Sequence, residues 1–381
     1  MAIIDNTKKK ENKISKFFLH LVAYGGFNVQ KGIINVWGDP CSFFPINAFV
    51  KFQKQIYDKI GYKKTAELFY WLGRLTGRNA TIMLIKRFGV KKEDIPNFVN
   101  GATQDGFGYM KIQEYDLDIG YGIVTGENST FAIEYKKEFS KQKEVQDHYI
   151  RGILSGGAEP LFNLHIKVIE EECMAQSFKK CKYVFSKLEK KPIFSFFKKI
   201  TLNEDKIIEK TKNLSLKRQS SFKIIKEKSI KFGDGSFVLD NCIGINMMNY
   251  AKVILDEILK QLFPNEYEKI LKEFAYNCIY SIKDRLINKN IRQILKELEL
   301  FGFGVFEVRA MVGKKLILFN NNNPNPKNYL SLFKKEPFCI DLFSCFLLES
   351  AFKIVNKECE VIEKNCIAKG DKECIFEITF K

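Results

Sequence analysis

The spacing Glu-x-x-Cys-x7-Cys occurs twice in this chain, as Glu170, Cys173 and Cys181 and again as Glu363, Cys366 and Cys374. Among the ten cysteines these are the only two pairs eight residues apart, and both have a glutamate three residues ahead. Each motif closes one half of the sequence, after a helical pattern and before a last apolar strand. A chain that repeats so specific an arrangement is expected to be two copies of one unit.

Two further markers recur in the same order. Pro45 opens a run with apolar residues at Ile46, Phe49, Val50, Ile56, Tyr57 and Ile60, interrupted by Gln53, at the 3.6-residue period of a helix. Gly61 ends it and Lys63–Ile85 resumes it; Ile245–Phe263, the break at Pro264-Asn265 and Glu266–Ile287 repeat the pattern. The tripeptides Gly106-Phe107-Gly108 and Gly302-Phe303-Gly304 then read as helix stops leading into strands. Between the copies, a Lys/Glu/Ser-rich stretch reads as a linker with a short helix near Asn203–Lys212. The predicted division is an N-terminal tail over 1–27, a first domain over 28–186, a linker over 187–221 and a second domain over 222–381. The predicted fold class is α+β: two tandem modules, each a helix pair with a small antiparallel sheet ending in a metal-binding β-hairpin. A length of 381 residues suits two domains of roughly 100–200 residues.

Two thiolates and a carboxylate are three of the four ligands that structural zinc takes. A fourth is expected from the start of the preceding helix, where the second copy has Cys339 and the first has His148; His165 could compete for that role but reads as an ordinary polar strand residue. The predicted metal sites are thus Cys339, Glu363, Cys366 and Cys374, and His148, Glu170, Cys173 and Cys181. One geometric condition applies: strand residues three apart face opposite ways. Each glutamate and its cysteine can meet one ion only if the strand bends between them. Lys369-Gly370-Asp371 suits such a turn, whereas the first copy has Ser177-Phe178 there. The remaining cysteines, Cys41, Cys242, Cys278, Cys345 and Cys359, read as small buried hydrophobes.

At this hairpin the sequence resembles the 4-vinyl reductase domain family. Cys339, Glu363, Cys366, Gly370-Asp371 and Cys374-Ile375-Phe376-Glu377-Ile378 follow its pattern, as do Glu170, Cys173 and Cys181 with His148 in place of the helix cysteine. Gly152 and Gly156 match the family's helix glycines; Phe343 and Leu347 stand at those places in the second copy. The resemblance implies a fold shared with TRAPP-type tethering subunits and with the aromatic-sensing domains of bacterial activators. It implies structural zinc on the Cys, Glu, Cys and Cys positions beside a pocket for an apolar or aromatic molecule.

No catalytic set can be assembled from His20, His148 and His165, and no phosphate-binding loop or dinucleotide fingerprint is present. The sequence therefore reads as a ligand-binding or sensing protein rather than an enzyme, with its signal passed to a protein partner or a second copy. Two other readings stay open: a reductase component acting on a vinyl tetrapyrrole with electrons from a partner, and a TRAPP-like scaffold or tether. The net charge of +17 comes with Lys, Ile, Asn and Phe enriched together, and no DNA-binding motif places that charge in a groove, so nucleic acid is not an expected partner. No stretch is long and apolar enough for a membrane span, and no secretory signal is read at Lys8–Tyr24. A cytoplasmic protein with reduced thiols is expected.

Overall fold

The computed structural model describes residues 27–95, 107–192 and 230–381, apart from 31–32, 37–38, 117, 234–235, 240–241, 321 and 338; residues 99, 194, 206, 207 and 209–211 are described as well. His20 and the N-terminal run over 8–24 lie outside the described residues, as do Gly106 and most of the expected linker; Lys206, Ile207 and Glu209–Thr211 of its expected short helix are helical. The chain is mixed helix and antiparallel sheet, as expected, and forms two compact units.

The elements in chain order begin with β1 (Phe27–Gln30), β2 (Ile33–Val36) and β3 (Asp39–Pro45), then α1 (Ile46–Ile60) and α2 (Tyr62–Phe88). Next come β4 (Tyr109–Asp116), β5 (Tyr121–Glu127), α3 (Thr130–Phe139), α4 (His148–Phe162), β6 (His165–Glu172) and β7 (Cys181–Leu188). Then follow β8 (Ile230–Gly233), β9 (Ser236–Leu239), β10 (Cys242–Met248), α5 (Asn249–Leu262), α6 (Tyr267–Tyr280), a single helical turn at Lys283–Leu286, and α7 (Ile291–Leu300). The chain closes with β11 (Glu307–Val312), β12 (Lys315–Asn320), α8 (Pro324–Leu332), α9 (Leu342–Ile354), β13 (Cys359–Asn365) and β14 (Cys374–Phe380). The helix expected to start at Ile245 starts instead at Asn249, because Ile245–Met248 completes β10.

One unit gathers Gln53–Ile245 with the N-terminal residues to Phe27; the other gathers Asn28–Phe52 with Asn246–Lys381. This differs from a division at 186 and 222, since residues 28–52 join the C-terminal unit. Aromatic packing within that unit gives the reason. Phe274 stacks on Phe44 at 5.3 Å and on Phe52 at 4.4 Å, and Phe343 meets Phe44, Phe274 and Phe303 at 5.4–6.0 Å. Rings at these separations add attraction beyond the area they bury.

Each unit holds a four-stranded antiparallel sheet of the same order, β4-β5-β7-β6 in the first and β11-β12-β14-β13 in the second. Alternating burial along β6 and β7 puts one face of the first sheet into the core. In the first unit α2 and α4 cross with backbones almost touching. A Cβ on Gly73 would lie 2.0 Å from Tyr149 O, and one on Gly152 would lie 2.0 Å from Tyr70 O. Gln53, the polar break in the apolar stripe of α1, is buried and donates to Gln146 O at 3.1 Å, which ties α1 to the segment leading into α4.

Candidate metal centres

The strand bend that the motif requires is present in both hairpins. Pairing of β6 with β7 shifts register between Glu170 and Glu172, and pairing of β13 with β14 shifts between Glu363 and Asn365. A bulge inserts a residue and re-aims side chains on its strand, so glutamate and cysteine come to one side. A 3-10 turn follows each first cysteine, Met174–Gln176 and Ile367–Lys369. It ends in a left-handed residue, Ser177 at φ 78° or Gly370 at φ 94°. Serine thus takes the turn conformation that glycine adopts without strain. The turn aims a backbone N–H at the second thiol: Met174 N at Cys181 Sγ, 3.4 Å, and Ile367 N at Cys374 Sγ, 3.5 Å.

Ligand-type atoms of Asp147, Glu170, Cys173 and Cys181 lie within 4.8 Å of one another, and so do those of Glu363, Cys366 and Cys374; all seven residues are buried. The three hairpin donors of each motif are therefore brought together. The expected helix donors are not. His148, the first residue of α4, places Nδ1 2.9 Å from an Arg151 nitrogen and its ring against Tyr62 at 5.2 Å. Burial, and then Arg151, hold its imidazole well below the usual range, so it is neutral. The group closest to the hairpin at this helix start is the residue before it, Asp147.

Asp147 and Asp341 hold equivalent positions. Each precedes its helix, and each donates its backbone N–H to Oε2 of the motif glutamate: Asp147 to Glu170 at 3.2 Å and Asp341 to Glu363 at 3.0 Å. Counted from these aspartates, His148 corresponds to Leu342 and Cys339 to Val145, so the two residues expected as counterparts are not counterparts. The same count puts Phe346 and Ser350, rather than Phe343 and Leu347, at the places of Gly152 and Gly156.

The two aspartates differ in what surrounds them. Oδ2 of Asp147 accepts from Ser129 at 2.6 Å, Tyr183 at 2.7 Å and the Cys181 thiol at 3.4 Å, while its Oδ1 is buried without a hydrogen-bond partner among the described residues. In the second unit Asn323 and Asn325 donate to the two oxygens of Asp341, at 2.5 and 3.2 Å, and Ser344 N donates to Oδ1 at 3.3 Å. That carboxylate is consumed in capping α9 and stands outside the donor group. Cys339 also stands outside it, half-buried; desolvation, then the negative charges of Glu363 and Cys366, push its thiol up to about 11.

Crowding shows in the protonation of the clusters. Desolvation, then Asp341 and Cys366, raise Glu363 to about 9, and desolvation, then Asp147 and Cys173, raise Glu170 well above the carboxylate range. A hydrogen bond from Cys374 holds the Cys366 thiol down to about 6, while Cys374 itself is raised by the same bond. Cys173 and Cys181 show the same pairing, Cys173 lowered by its bond from Cys181 and Cys181 raised. Without a cation, each cluster must retain protons to relieve repulsion among its donors.

The donor set fits a metal ion on these grounds. Oε1 of Glu170 and of Glu363, like Oδ1 of Asp147, is buried with no hydrogen-bond partner among the described residues. An unsatisfied buried carboxylate oxygen is costly unless something coordinates it. Ligands around tetrahedral zinc stand roughly 3.3–3.8 Å apart, so donors already within 4.8 Å need only small side-chain adjustment.

No family model matches this chain. No curated protein matches it either. Among solved structures it is similar to the phenol-responsive sensory domain of the transcription activator PoxR, crystallised with phenol, at 18% identity and a TM-score of 0.41 over 48% of this chain and 93% of that one. It is also similar to a vinyl-4-reductase family protein from Methanocaldococcus jannaschii, at 18% identity and a TM-score of 0.28, covering 48% of this chain and 100% of that one. A third is trafficking protein particle complex subunit 3 from Naegleria fowleri, covalently bound to palmitic acid, at 9% identity and a TM-score of 0.27, covering 39% of this chain and 98% of that one. These likenesses are too distant to assign a function. No helix among the described residues is long and apolar enough to cross a membrane.

Proposed function

We propose that this chain is a small-molecule-binding protein whose two hairpins are each closed by a structural metal ion. Asp147, Glu170, Cys173 and Cys181 hold one ion; Glu363, Cys366 and Cys374 hold the other, with Cys339 drawn in as a further thiolate. The observation that carries this is the buried gathering of thiols and carboxylates whose outer oxygens have no hydrogen-bond partner among the described residues. Zinc is the ion that sulfur donors with one or two carboxylates favour. When bound it supplies charge neutralisation and cross-linking, tying the turn after β6 or β13 to the helix start before it. The protein's part is to keep water out and to hold each glutamate in place through the aspartate N–H.

The ligand half of the proposal rests on an apolar cavity in the first unit, between the sheet and α4, lined by Val124, Leu154, Ala158, Leu161, Phe162 and Phe185. Its lining suits a small apolar or aromatic molecule, and binding would be passed on to a partner protein or a second copy. The cavity measures about 40 Å³, whereas an apolar cavity that takes benzene is roughly 150 Å³, so a ring must widen it on entering. That volume favours a second reading, a scaffold with a filled core. A thermal-shift screen of phenols and other small aromatics, backed by native mass spectrometry for retained ligand, separates the two. Ligand binding predicts saturable stabilisation by members of that class; no shift with any of them, and no retained molecule, leaves the scaffold.

A further inference from the structure

Glu159, near the end of α4, is buried and already neutralised. Nε and Nη2 of the buried Arg74 donate to its two oxygens at 2.9 Å each, and Ile166 N approaches Oε1 at 3.4 Å. Arg78, one turn further along α2, reaches the same carboxylate only through Nη1, 3.8 Å from Oε2. That is too long for a hydrogen bond. The Arg78 Nε is buried with no hydrogen-bond partner among the described residues. Two guanidiniums on one carboxylate leave a net positive charge beside the unpartnered Arg78 Nε.

This surplus opens on a cleft of about 320 Å³ within the first unit, where α4 ends, β6 begins and β7 ends. Its cationic side is Arg78 and Lys187, with His165 beside them; its apolar side includes Ile82, Leu164 and Leu188. The negative groups there are Glu159, already paired with Arg74, the exposed Glu189 and the C-terminal carbonyls of α4, which carry partial negative charge. They limit how much anionic charge the cleft can hold and so favour a monoanion over phosphate. The guanidinium fork matches a carboxylate in two parallel hydrogen bonds, and the volume lies within the range of small-molecule sites, about 300–1,000 Å³. The cleft shares no residue with either metal centre or with the apolar cavity.

We propose that this cleft binds a small organic monocarboxylate with an apolar body, its carboxylate on Arg78 and its body against Ile82, Leu164 and Leu188. The test is calorimetric titration of the full chain with benzoate, beside benzamide and inorganic phosphate, in wild type and in Arg78→Gln, Arg78→Lys and Lys187→Gln. Benzoate should bind saturably, one per chain. Loss of the charge-assisted pair should weaken it about tenfold or more in Arg78→Gln, with a smaller loss in Arg78→Lys, which keeps charge without the fork. Lys187→Gln changes an exposed residue, so it keeps the test open should Arg78→Gln fold poorly; it should weaken binding severalfold. Benzamide and phosphate should bind far more weakly in wild type. Absence of saturable benzoate binding, an affinity unchanged in the Arg78 and Lys187 variants, or benzamide or phosphate binding as tightly as benzoate overturns the proposal and leaves the metal reading untouched.

Discussion

The backbone N–H of Asp147 donates to Oε2 of Glu170 at 3.2 Å, so the residue that precedes α4 also fixes the motif glutamate of β6. The outer oxygen of each carboxylate is buried with no hydrogen-bond partner among the described residues. The proposed helix-side donor is therefore Asp147 rather than His148. Asp147→Asn should lower the metal content of the first unit, while His148→Gln should leave it unchanged. Metal analysis of the two purified variants decides between the residues: loss in His148→Gln with retention in Asp147→Asn would reverse the assignment.

Asp341 makes the corresponding bond to Glu363 but spends its own oxygens on Asn323, Asn325 and Ser344 N. Asp341→Asn should therefore keep metal in the second unit and cost only about 1 kcal/mol, the usual scale of a helix-cap change. Denaturant unfolding with metal analysis checks this; metal loss would place Asp341 among the ligands.

The second unit can offer three thiolates and a glycine at its left-handed turn, so its ion should be the harder to strip. Cys366→Ser should destabilise its unit by about 4 kcal/mol, at the upper end of single-substitution effects because a bound metal is lost. Cys173→Ser should cost the first unit less. Cys345→Ser and Cys359→Ser, outside the donor groups, should leave metal content as it was. Thermal unfolding with and without chelator reads all four variants, and equal losses in Cys366→Ser and Cys173→Ser would contradict the ranking.

Metal binding should release protons. With Glu363 raised to about 9 and Cys374 raised above its ordinary value, both carry a proton at about pH 8, whereas Cys366, held down to about 6, does not. An ion entering the second site displaces about two protons, and a third if Cys339 joins. Affinity must therefore fall as pH is lowered. Titration calorimetry of zinc into metal-free protein, in buffers of different ionisation enthalpy, counts the protons; an enthalpy independent of buffer would show that the donors are already ionised.

Gly73 and Gly152 let α2 and α4 meet backbone to backbone. Gly73→Ala or Gly152→Ala would force a methyl to within about 2 Å of a carbonyl oxygen and should destabilise the first unit by about 3 kcal/mol or more. The melting temperature reads it; a shift of less than a degree would mean the helices can part freely.

Much of this was legible in the residues. The helix pairs, the strands after the Gly-Phe-Gly tripeptides and the bend between Glu363 and Cys366 follow from periodicity and spacing, which are local. The helix-side donor was not legible. Asp147 and His148 are adjacent, and one residue of helix rotation, about 100°, decides which faces the hairpin. A signal was present in the aspartate that precedes both helices, 23 residues before Glu170 and 22 before Glu363. The placement of residues 28–52 was hidden for another reason: Phe44 and Phe52 find Phe274 and Phe343 across more than 200 positions of sequence, and apolar periodicity marks a buried face without naming its partner. The surplus charge of Arg78 likewise depends on Arg74 taking Glu159 first, a pairing that spans 85 residues.

The central claim is that the two buried donor groups are metal centres. Elemental analysis of the full chain purified without chelator tests it most directly, together with titration of its thiols in the folded state. The account predicts about two zinc ions per chain, with Cys173, Cys181, Cys366 and Cys374 unreactive until the metal is removed. A metal-free protein whose four thiols react freely while it remains folded would contradict it.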